Sequence, residues 1–494
     1  MVELDRYDAL DLDMYRRIVG GGELIAVDEG LLEHVERRRE ALLRHLGTGV
    51  PAYGITTGLG YLASETVGED EQPALQRSLL TARASGLGPP LPRDVVRGAM
   101  LLRLAGFLSG YPGVSSALCR FLAARLNEGW SPIVPSGPYG ASGEIAPLAH
   151  LFQTFVGEGL VELDGEHLPA WEALARSGIE AYEPGLKEGL ALVNGSPLAT
   201  ALAVRLGDLG GRLLEQATVG AALAVALVQG SARPFASRVL SLGAEATEQR
   251  IGRRLLELLN GEAKWDHRAQ PPVSFRVVPP VHGALLRALD ELTITAEQRL
   301  RSVTDSPLFL DSQVDEPEGL YASGAFHAID VTLRLEAVAV AAAQVTNLVE
   351  KRLHRLLDAR FSGLPEQLAR EPGRQAGAVS LHKAVVGLAA HNRLLATPAS
   401  VHALDTSTGQ EDVQAFTFLA AERLAAVLDN LEAALACELV ALRQAAHLRG
   451  DALDAPLLAR AVARLAEIVA PIDEDRTLSP DVERVVALLR AGEL

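Results

Sequence analysis

The chain has 494 residues, of which 48% are hydrophobic, so it can bury one large core or two to three modest domains. Its formal net charge of −17 argues against a nucleic-acid-binding surface, because such a surface needs clustered lysine and arginine. The two cysteines, Cys119 and Cys437, indicate neither a disulfide framework nor a cysteine-rich metal site.

The N-terminal segment is acidic and has no apolar stretch, so the sequence predicts no secretory signal. The longest apolar runs, Val219–Val228 and Val338–Ala343, fall well short of the roughly 20 residues that cross a bilayer. We therefore expect a cytoplasmic protein that has no membrane and no nucleic-acid partner.

Hydrophobic residues recur with helical periodicity along most of the chain. One long apolar segment begins at Leu198, a second extends from Ile329 to Leu357, and a third from about Glu411 to Leu448. They predict an all-α fold with a long-helix bundle larger than a four-helix unit. Because these helices are apolar around much of their circumference, we expect them to be central or to lie in the contacts of a homo-oligomer.

The predicted organisation is an N-terminal region over 1–190, a central long-helix bundle over 191–450 and a small helical tail over 451–494. The breaks between helices are rich in glycine and proline, and they lie at Gly86–Pro92, Pro132–Gly143, Gln270–Gly283 and Pro317–Gly324. The twelve histidines show no tight metal-binding spacing along the sequence, so no metal is expected.

The tripeptide Ala141-Ser142-Gly143 lies among glycine and proline residues and is the most informative stretch of the chain. Its small side chains would allow a tight bend that brings the Gly143 nitrogen onto the Ala141 carbonyl carbon. Loss of two water molecules would then give a five-membered ring with an exocyclic methylene, a methylidene-imidazolone (MIO). This group is a strong electrophile, which ordinary side chains are not. The tripeptide alone is weak evidence, because these three residues occur by chance in many loops.

Six sequence blocks, in order, resemble those of the histidine and aromatic amino acid ammonia-lyase family. They are YGITTGLG from Tyr53, ASGEIAPLAH from Ala141, VNGSPLATALA from Val193, SFRVVPPVHG from Ser274, SGAFHAID from Ser323 and TSTGQEDVQAF from Thr406. Each block alone is a weak to moderate signal, but six in the family's order are specific. The similarity extends from about Tyr53 to Leu448.

The resemblance implies an all-helical homotetramer, related in fold to the fumarase and aspartase bundles, with active sites that combine residues of different subunits. It implies an MIO that forms autocatalytically from residues 141–143, with no metal and no diffusible cofactor. The expected substrate is a small-molecule α-amino acid, which loses ammonia to give an α,β-unsaturated acid.

Three residues match family positions that have defined roles. Tyr53 matches the tyrosine that takes the β-proton, so the site must favour its phenolate. Arg276 matches the arginine whose planar guanidinium binds the substrate carboxylate. Asn194 matches the asparagine next to the prosthetic group. The ordinary alternatives are a core tyrosine, a surface salt bridge and a plain turn.

Three further residues match positions near the substrate. Phe326 matches an aromatic residue that packs near the substrate, although a core phenylalanine is equally compatible. Gln410 and Glu411 match a Gln-Glu pair whose glutamate contacts the imidazole in histidine-specific members. The alternative role of Glu411, together with Asp412, is to stabilise a helix N-terminus.

The sequence also departs from the family pattern. Arg83 stands where histidine-specific members have histidine, and we expect it either to select a polar or anionic substrate side chain or to pair with Glu411. A salt bridge outside the site is the plain alternative. Val273 occupies the position of a second catalytic tyrosine, which is therefore missing. Ala325 and Gly409 stand where the family commonly has asparagine.

Two other functions stay open at this point. A 2,3-aminomutase on the same scaffold would return the ammonia to the β-carbon, and it differs from a lyase in how long the product stays enclosed. A catalytically silent member that acts as a binding or scaffold protein is the other, and Val273, Ala325 and Gly409 suggest it. A cofactor-free fumarase-type lyase is less favoured, because its signature loop is not found.

Overall fold

The computed structural model of the chain describes residues 1–140, 142–243, 245–261, 270–401 and 404–494. Ala141 of the tripeptide therefore lies outside the described residues. The chain is 59% helical with few strands, which confirms the all-α prediction.

The described helices have one or more apolar faces that are buried, as expected from the periodicity of the sequence. In chain order they are Leu12–Val19 (α1), Glu29–Leu46 (α2), Gln72–Thr81 (α3), Arg93–Leu108 (α4), Ser116–Asn127 (α5), Ile145–Phe152 (α6), Ala170–Arg176 (α7), Glu188–Val193 (α8), Pro197–Leu227 (α9), Ser237–Leu240 (α10), Ala246–Leu259 (α11), Val273–Arg276 (α12), Val278–Leu300 (α13), Ile329–Leu357 (α14), Ala359–Ser362 (α15), Val379–Leu395 (α16), Thr417–Arg449 (α17), Pro456–Ile468 (α18) and Ser479–Ala491 (α19).

Short strands accompany the helices. They are Val2–Leu4 (β1), Ile25–Val27 (β2), Ser131–Pro132 (β3), Leu160–Leu163 (β4), Glu166–Pro169 (β5), Leu308–Leu310 (β6) and Gly319–Tyr321 (β7). Strands β1 and β2 pair in parallel, with Val2 opposite Ile25. Strand β4 lies between β3 and β5 in an antiparallel sheet, and β6 pairs antiparallel with β7.

The chain divides into two compact units. Unit 1 consists of Met1–Arg205, Thr293–Leu333 and Ala399–Ala421. Unit 2 consists of Leu206–Leu292, Arg334–Pro398 and Glu422–Leu494. The domain boundaries at 190 and 450 stay a prediction. In unit 1, helices α3, α6 and α8 pack against one another, and α6 begins two residues after the tripeptide.

The predicted long helices can be compared with α9, α14 and α17. Helix α14 has the predicted bounds, and α9 begins one residue before Leu198. The predicted start of the third helix at about Glu411 is wrong, because α17 begins at Thr417. The preceding segment is a loop, since Thr406 and Glu411 form an antiparallel bridge and Phe416 has a φ of +50°.

One helical stretch, Glu188–Leu227, is long and apolar enough to cross a membrane by length and composition, unlike the shorter runs noted in the sequence. Within the described residues, 89% of its most apolar window is buried inside the protein. Such burial is typical of a core helix, so this stretch is weak evidence for a membrane span.

Candidate active site

The tripeptide loop leads directly into helix α6, and two of its residues are described. The Ser142 N–H donates a hydrogen bond to Oε2 of Glu411 at 3.1 Å, and its Oγ donates to the Val413 carbonyl oxygen at 2.8 Å. A Cβ added to Gly143 would lie 3.2 Å from Cδ2 of Phe326, so the loop and this ring are in close contact. The structure therefore brings Ser142, Gly143, Phe326 and Glu411 together.

Glu411 is half-buried, and its carboxylate connects the loop before α17 to the tripeptide loop. While Oε2 accepts from Ser142, Oε1 accepts from the Ser407 hydroxyl at 3.3 Å. Glu411 lies six residues before the start of α17, and both of its carboxylate oxygens accept hydrogen bonds from other groups. This argues against the alternative that Glu411 stabilises the N-terminus of that helix. The neighbouring Gln410 side chain is exposed.

Glu144, directly after the tripeptide, joins it to the start of α9. Its buried carboxylate accepts hydrogen bonds from the N–H groups of Leu198 and Ala199 at 2.8 Å and 2.6 Å. These N–H groups belong to the first turn of α9, where a helix has unpaired donors and a partial positive charge. Burial raises the pKa of Glu144 to about 8, although the two backbone hydrogen bonds oppose this shift.

Asn194 lies just before α9 and is fixed by the segment that carries Ser306. Its side-chain Nδ2 donates to the Ser306 carbonyl oxygen, and the Ser196 N–H donates to Oγ1 of Thr304 at 3.2 Å. Gly195 has a φ of +125°, and a Cβ there would come within 2.6 Å of an Arg103 guanidinium nitrogen. Only glycine fits this turn without displacing its neighbours.

A buried ion pair supports the same segment. Nζ of Lys187 lies 2.8 Å from Oδ2 of Asp305, and both side chains are fully buried. The Arg103 guanidinium lies 4.0 Å from Oδ1 of Asp305 and donates to the Ala191 carbonyl oxygen. Asp305 thus lies between the two residues, Thr304 and Ser306, that hold the turn around Asn194.

Arg299 holds the loop that carries Phe326. Its guanidinium donates to Oγ of Ser196 at 2.8 Å, to the Ala325 carbonyl oxygen at 3.3 Å and to the His327 carbonyl oxygen at 3.1 Å. It also forms an ion pair with Asp330. The loop that carries Phe326 is therefore attached to Ser196, directly before α9.

A cavity of about 20 Å³ lies beside the tripeptide within unit 1. Aromatic rings and backbone form most of its wall, and its lining residues are Tyr139, Ser142, Gly143, Glu144, Phe326, Ala328, Ala415, Phe416, Thr417 and Phe418. A cavity of this volume has room for about one water molecule.

Tyr53 and Arg83, two of the residues predicted for the site, also belong to unit 1 and lie near each other. The Tyr53 hydroxyl accepts a hydrogen bond from the Gly60 N–H at 3.0 Å, and the side chain is 39% exposed. Burial lowers the pKa of the Arg83 guanidinium, and the nearby Tyr53 opposes that shift. Within the part of the chain that the structure describes, no carboxylate pairs with Arg83, and the Glu411 oxygens accept from Ser142 and Ser407 instead.

The turn after Arg83 is connected to the tripeptide loop. The Gly86 N–H donates to Nε2 of His150 on α6 at 2.8 Å. A Cβ on Gly86 would lie 2.4 Å from the hydroxyl oxygen of Tyr139, which lines the cavity. A glycine is therefore needed where this turn approaches the tripeptide loop.

Arg276 and Val273 lie on helix α12 and belong to unit 2. With its amide oriented to satisfy both contacts, the Gln270 side-chain oxygen accepts from both terminal nitrogens of Arg276 at 2.8 Å. The Nε of Arg276 is buried and has no hydrogen-bond partner among the described residues. The Val273 side chain is 58% exposed.

Known proteins resemble this chain over nearly its whole length. The family model described as aromatic amino acid lyase matches residues 10–467. The chain belongs to the aromatic amino acid lyase family. Histidine ammonia-lyase from Symbiobacterium thermophilum is 34% identical over 482 residues, which cover 96% of this chain and 94% of that protein. Histidine ammonia-lyase from Gloeobacter violaceus is 35% identical, with 98% of this chain and 95% of that protein covered.

A solved structure gives the same result for the fold. Tyrosine aminomutase from Streptomyces globisporus has a TM-score of 0.92 and 27% identity, and the match covers 100% of this chain and 97% of that one. The predicted family and the helical ammonia-lyase fold are confirmed, and the chain is an enzyme of the ammonia-lyase family.

The sequence did not single out three residues that hold the segments around the tripeptide, namely Glu144, Lys187 and Arg299. Lys187 could have been noticed, because it directly precedes the apolar run of α8, where an unpaired ammonium would be costly. The sequence around Arg299 contains no such signal.

Proposed function

We propose that this protein is an MIO-dependent ammonia-lyase that eliminates ammonia from an α-amino acid. The observation that carries the proposal is the position of Ser142 and Gly143, between the Glu411 carboxylate and the Phe326 ring, in a member of the aromatic amino acid lyase family. The residues fit an MIO derived from 141–143, because the loop has small residues and the Phe326 ring leaves little room for a side chain on Gly143. When present, the MIO supplies the electrophile that makes the amine a better leaving group.

The chain's own residues would bind the substrate and move its proton. Tyr53 takes the β-proton, and the Gly60 N–H and the nearby Arg83 place positive charge beside its oxygen. Arg276 binds the substrate carboxylate. Asn194 and Gln410, together with Glu411 and Phe326, support the prosthetic group or the substrate. Glu144, which follows the tripeptide, accepts a hydrogen bond from the N-terminus of α9 and so connects the two.

Intact-mass spectrometry tests the cofactor directly. The purified chain should weigh two water molecules less than its translated sequence, and Ser142→Ala should have its full translated mass. Ser142→Ala should also lose ammonia release by on the order of 10³-fold or more, the scale expected when a covalent catalytic group is removed. Ser136→Ala, in the same loop, is the matched control and should keep both properties. An unmodified wild-type chain would contradict the proposal and indicate a catalytically silent family member.

The substrate side chain is the second part of the proposal. Arg83 is a partly buried cation that pairs with no carboxylate of the described residues, so we infer that it selects a substrate with a polar or anionic side chain. For such substrates, Arg83→His should lower kcat/KM by about 10- to 100-fold, the loss expected for a hydrogen bond to a charged group. Arg77→His, where the arginine already pairs with Glu183, is the control. An unchanged preference across a panel of amino acids would show that Arg83 is not a selector.

A 2,3-aminomutase is the second candidate function. It is favoured by the 27% identity with a solved tyrosine aminomutase and by Val273, which leaves one tyrosine fewer than the family pattern. Product analysis decides between the two, because a mutase yields a β-amino acid and a lyase yields an unsaturated acid with free ammonia.

The proposed assembly is a homotetramer with shared active sites. In unit 1, the exposed Tyr53 and Val413 flank the site and are suited to being covered by another chain. Light scattering after size-exclusion chromatography should give four times the chain mass. A cytoplasmic location stays a prediction.

A further inference from the structure

Three side chains of metal-ligand type meet in unit 2, outside the site described above. Glu350 and His354 lie on α14, and His382 lies on α16. One potential ligand atom from each lies within 4.8 Å of the other two. This cluster, called here the α14–α16 cluster, joins two helices that are separated by the segment containing α15.

The geometry of the α14–α16 cluster is close to that of a metal site. Glu350 and His354 are four residues apart, so they lie on the same face of α14. Nε2 of His382 lies 2.8 Å from Oε1 of Glu350, and the His354 and His382 rings are stacked with centroids 4.8 Å apart. Zinc–ligand bonds of about 2.0 to 2.2 Å place tetrahedral ligand atoms about 3.4 Å apart, which lies within the observed range of separations.

The Glu350 carboxylate is oriented so that one of its oxygens can bind a cation. The Lys351 ammonium lies 2.7 Å from Oε2, so it orients the carboxylate and leaves Oε1 facing the histidines. A metal ion bound between Oε1 of Glu350 and Nε2 of His382 would replace the direct contact between these two atoms.

The ligand set also indicates which ion is suitable. Two imidazoles and one carboxylate suit zinc and similar transition metals, whereas calcium and magnesium prefer oxygen ligands. His354 is exposed, so a fourth coordination position would open to solvent and would be filled by water. This arrangement has the three protein ligands of an open zinc site.

We propose that Glu350, His354 and His382 bind one zinc-type divalent transition-metal ion per chain, which links α14 to α16. The site is separate from the proposed MIO chemistry, and its presence does not depend on it. Because the ion binds the folded arrangement, it should raise the thermal midpoint of unfolding.

The test uses full-length protein without a histidine tag, stripped with EDTA and then dialysed. Calorimetric titration with ZnCl₂ should give one ion per chain, and saturating zinc should raise the thermal midpoint. His354→Ala and His382→Ala should each weaken zinc binding by at least about tenfold, since even loss of an outer partner of a metal ligand costs 10- to 100-fold. Co²⁺ should give the visible absorption bands of a tetrahedral nitrogen–oxygen site.

His391→Ala is the matched control, because His391 also lies on α16 but contacts Asn430 instead of the cluster. It should bind zinc as wild type does. Circular dichroism of the metal-free variants checks that they are folded, and Glu350→Gln removes the ligand charge with little change of shape. Binding of less than one zinc per chain, or binding that survives both histidine changes, would show an adventitious ion only and overturn the proposal.

Discussion

Each unit of this protein contains a fully buried ion pair, and the two pairs have different surroundings. In unit 2, the Arg352 guanidinium binds the Glu438 carboxylate through two hydrogen bonds of 2.8 and 2.9 Å. In unit 1, the Lys187 ammonium binds Asp305 through one of 2.8 Å. Burying an unpaired charge is costly, so removing one partner of either pair alone should destabilise the protein.

The two ion pairs differ in the structural elements that they connect. Arg352 and Glu438 are both inside long helices, α14 and α17, whose backbones are already hydrogen-bonded. Lys187 has a φ of +68° just before α8, and Asp305 lies in an irregular segment that fixes Asn194. A buried charge between helices therefore secures packing, whereas a buried charge between loops orders backbone that has no regular hydrogen bonds of its own. We therefore expect loss of the Arg352–Glu438 pair to affect stability alone, and loss of the Lys187–Asp305 pair to affect activity as well.

The largest effect is expected in unit 2. Glu438→Ala should lower the free energy of unfolding by about 3 to 5 kcal/mol, because Arg352 would stay buried without its partner. Urea unfolding followed by circular dichroism measures this, and kcat per folded chain should not change.

The double variant Arg352→Met with Glu438→Leu is the control. It removes both charges while keeping apolar volume, so its stability should be close to that of the wild type. If Glu438→Ala cost less than about 1 kcal/mol, the pair would not be the packing element described above.

Lys187→Met should have the next largest effect. It should also distinguish the two ion pairs, because it should lower activity as well as stability. The free energy of unfolding should fall by about 2 kcal/mol, less than in unit 2, because Arg103 still lies near Asp305. In addition, kcat should fall by about tenfold, since small displacements of a positioned group reduce the rate.

Steady-state kinetics on the folded fraction checks this prediction, with Lys383→Met on the surface of α16 as the control. An unchanged kcat with lower stability would mean that the loop pair is purely structural, like the pair in unit 2. A lower kcat with little change in KM supports a positioning role.

A dependence of stability on pH is expected from Glu144, whose carboxyl group is buried at a helix terminus. Its pKa is raised from 4.5 to about 8, so stability from this group is present below pH 4.5 and is lost as the pH rises through 8. Between pH 5 and 8, the free energy of unfolding of the wild type should fall by on the order of 1 to 3 kcal/mol relative to Glu144→Gln.

Urea unfolding at several pH values tests this, with Glu158→Gln at an exposed position as the control. Parallel pH profiles of wild type and Glu144→Gln would mean that the N-terminus of α9 keeps the carboxylate ionised throughout this range.

Much of the helical fold was predictable, because the local spacing of apolar residues indicates where helices form. The bounds of α14 follow from the spacing of its apolar residues, and the helical tail was expected from the same signal. The start of α17 was not predictable in this way, because a bridge between Thr406 and Glu411 and a left-handed Phe416 keep an otherwise helix-compatible stretch in a loop.

The sequence by itself determined the family, because the blocks around Tyr53, Ser142, Asn194 and Arg276 occur in the order that is typical of the family. Tertiary structure alone decided which distant groups meet. Glu144 reaches Leu198, and Lys187 reaches Asp305, across more than fifty residues in each case. Glu350 and His382 likewise meet only after α14 and α16 pack. Charge pairing depends on distance in space, and residue spacing reports that distance only within a single helix or strand.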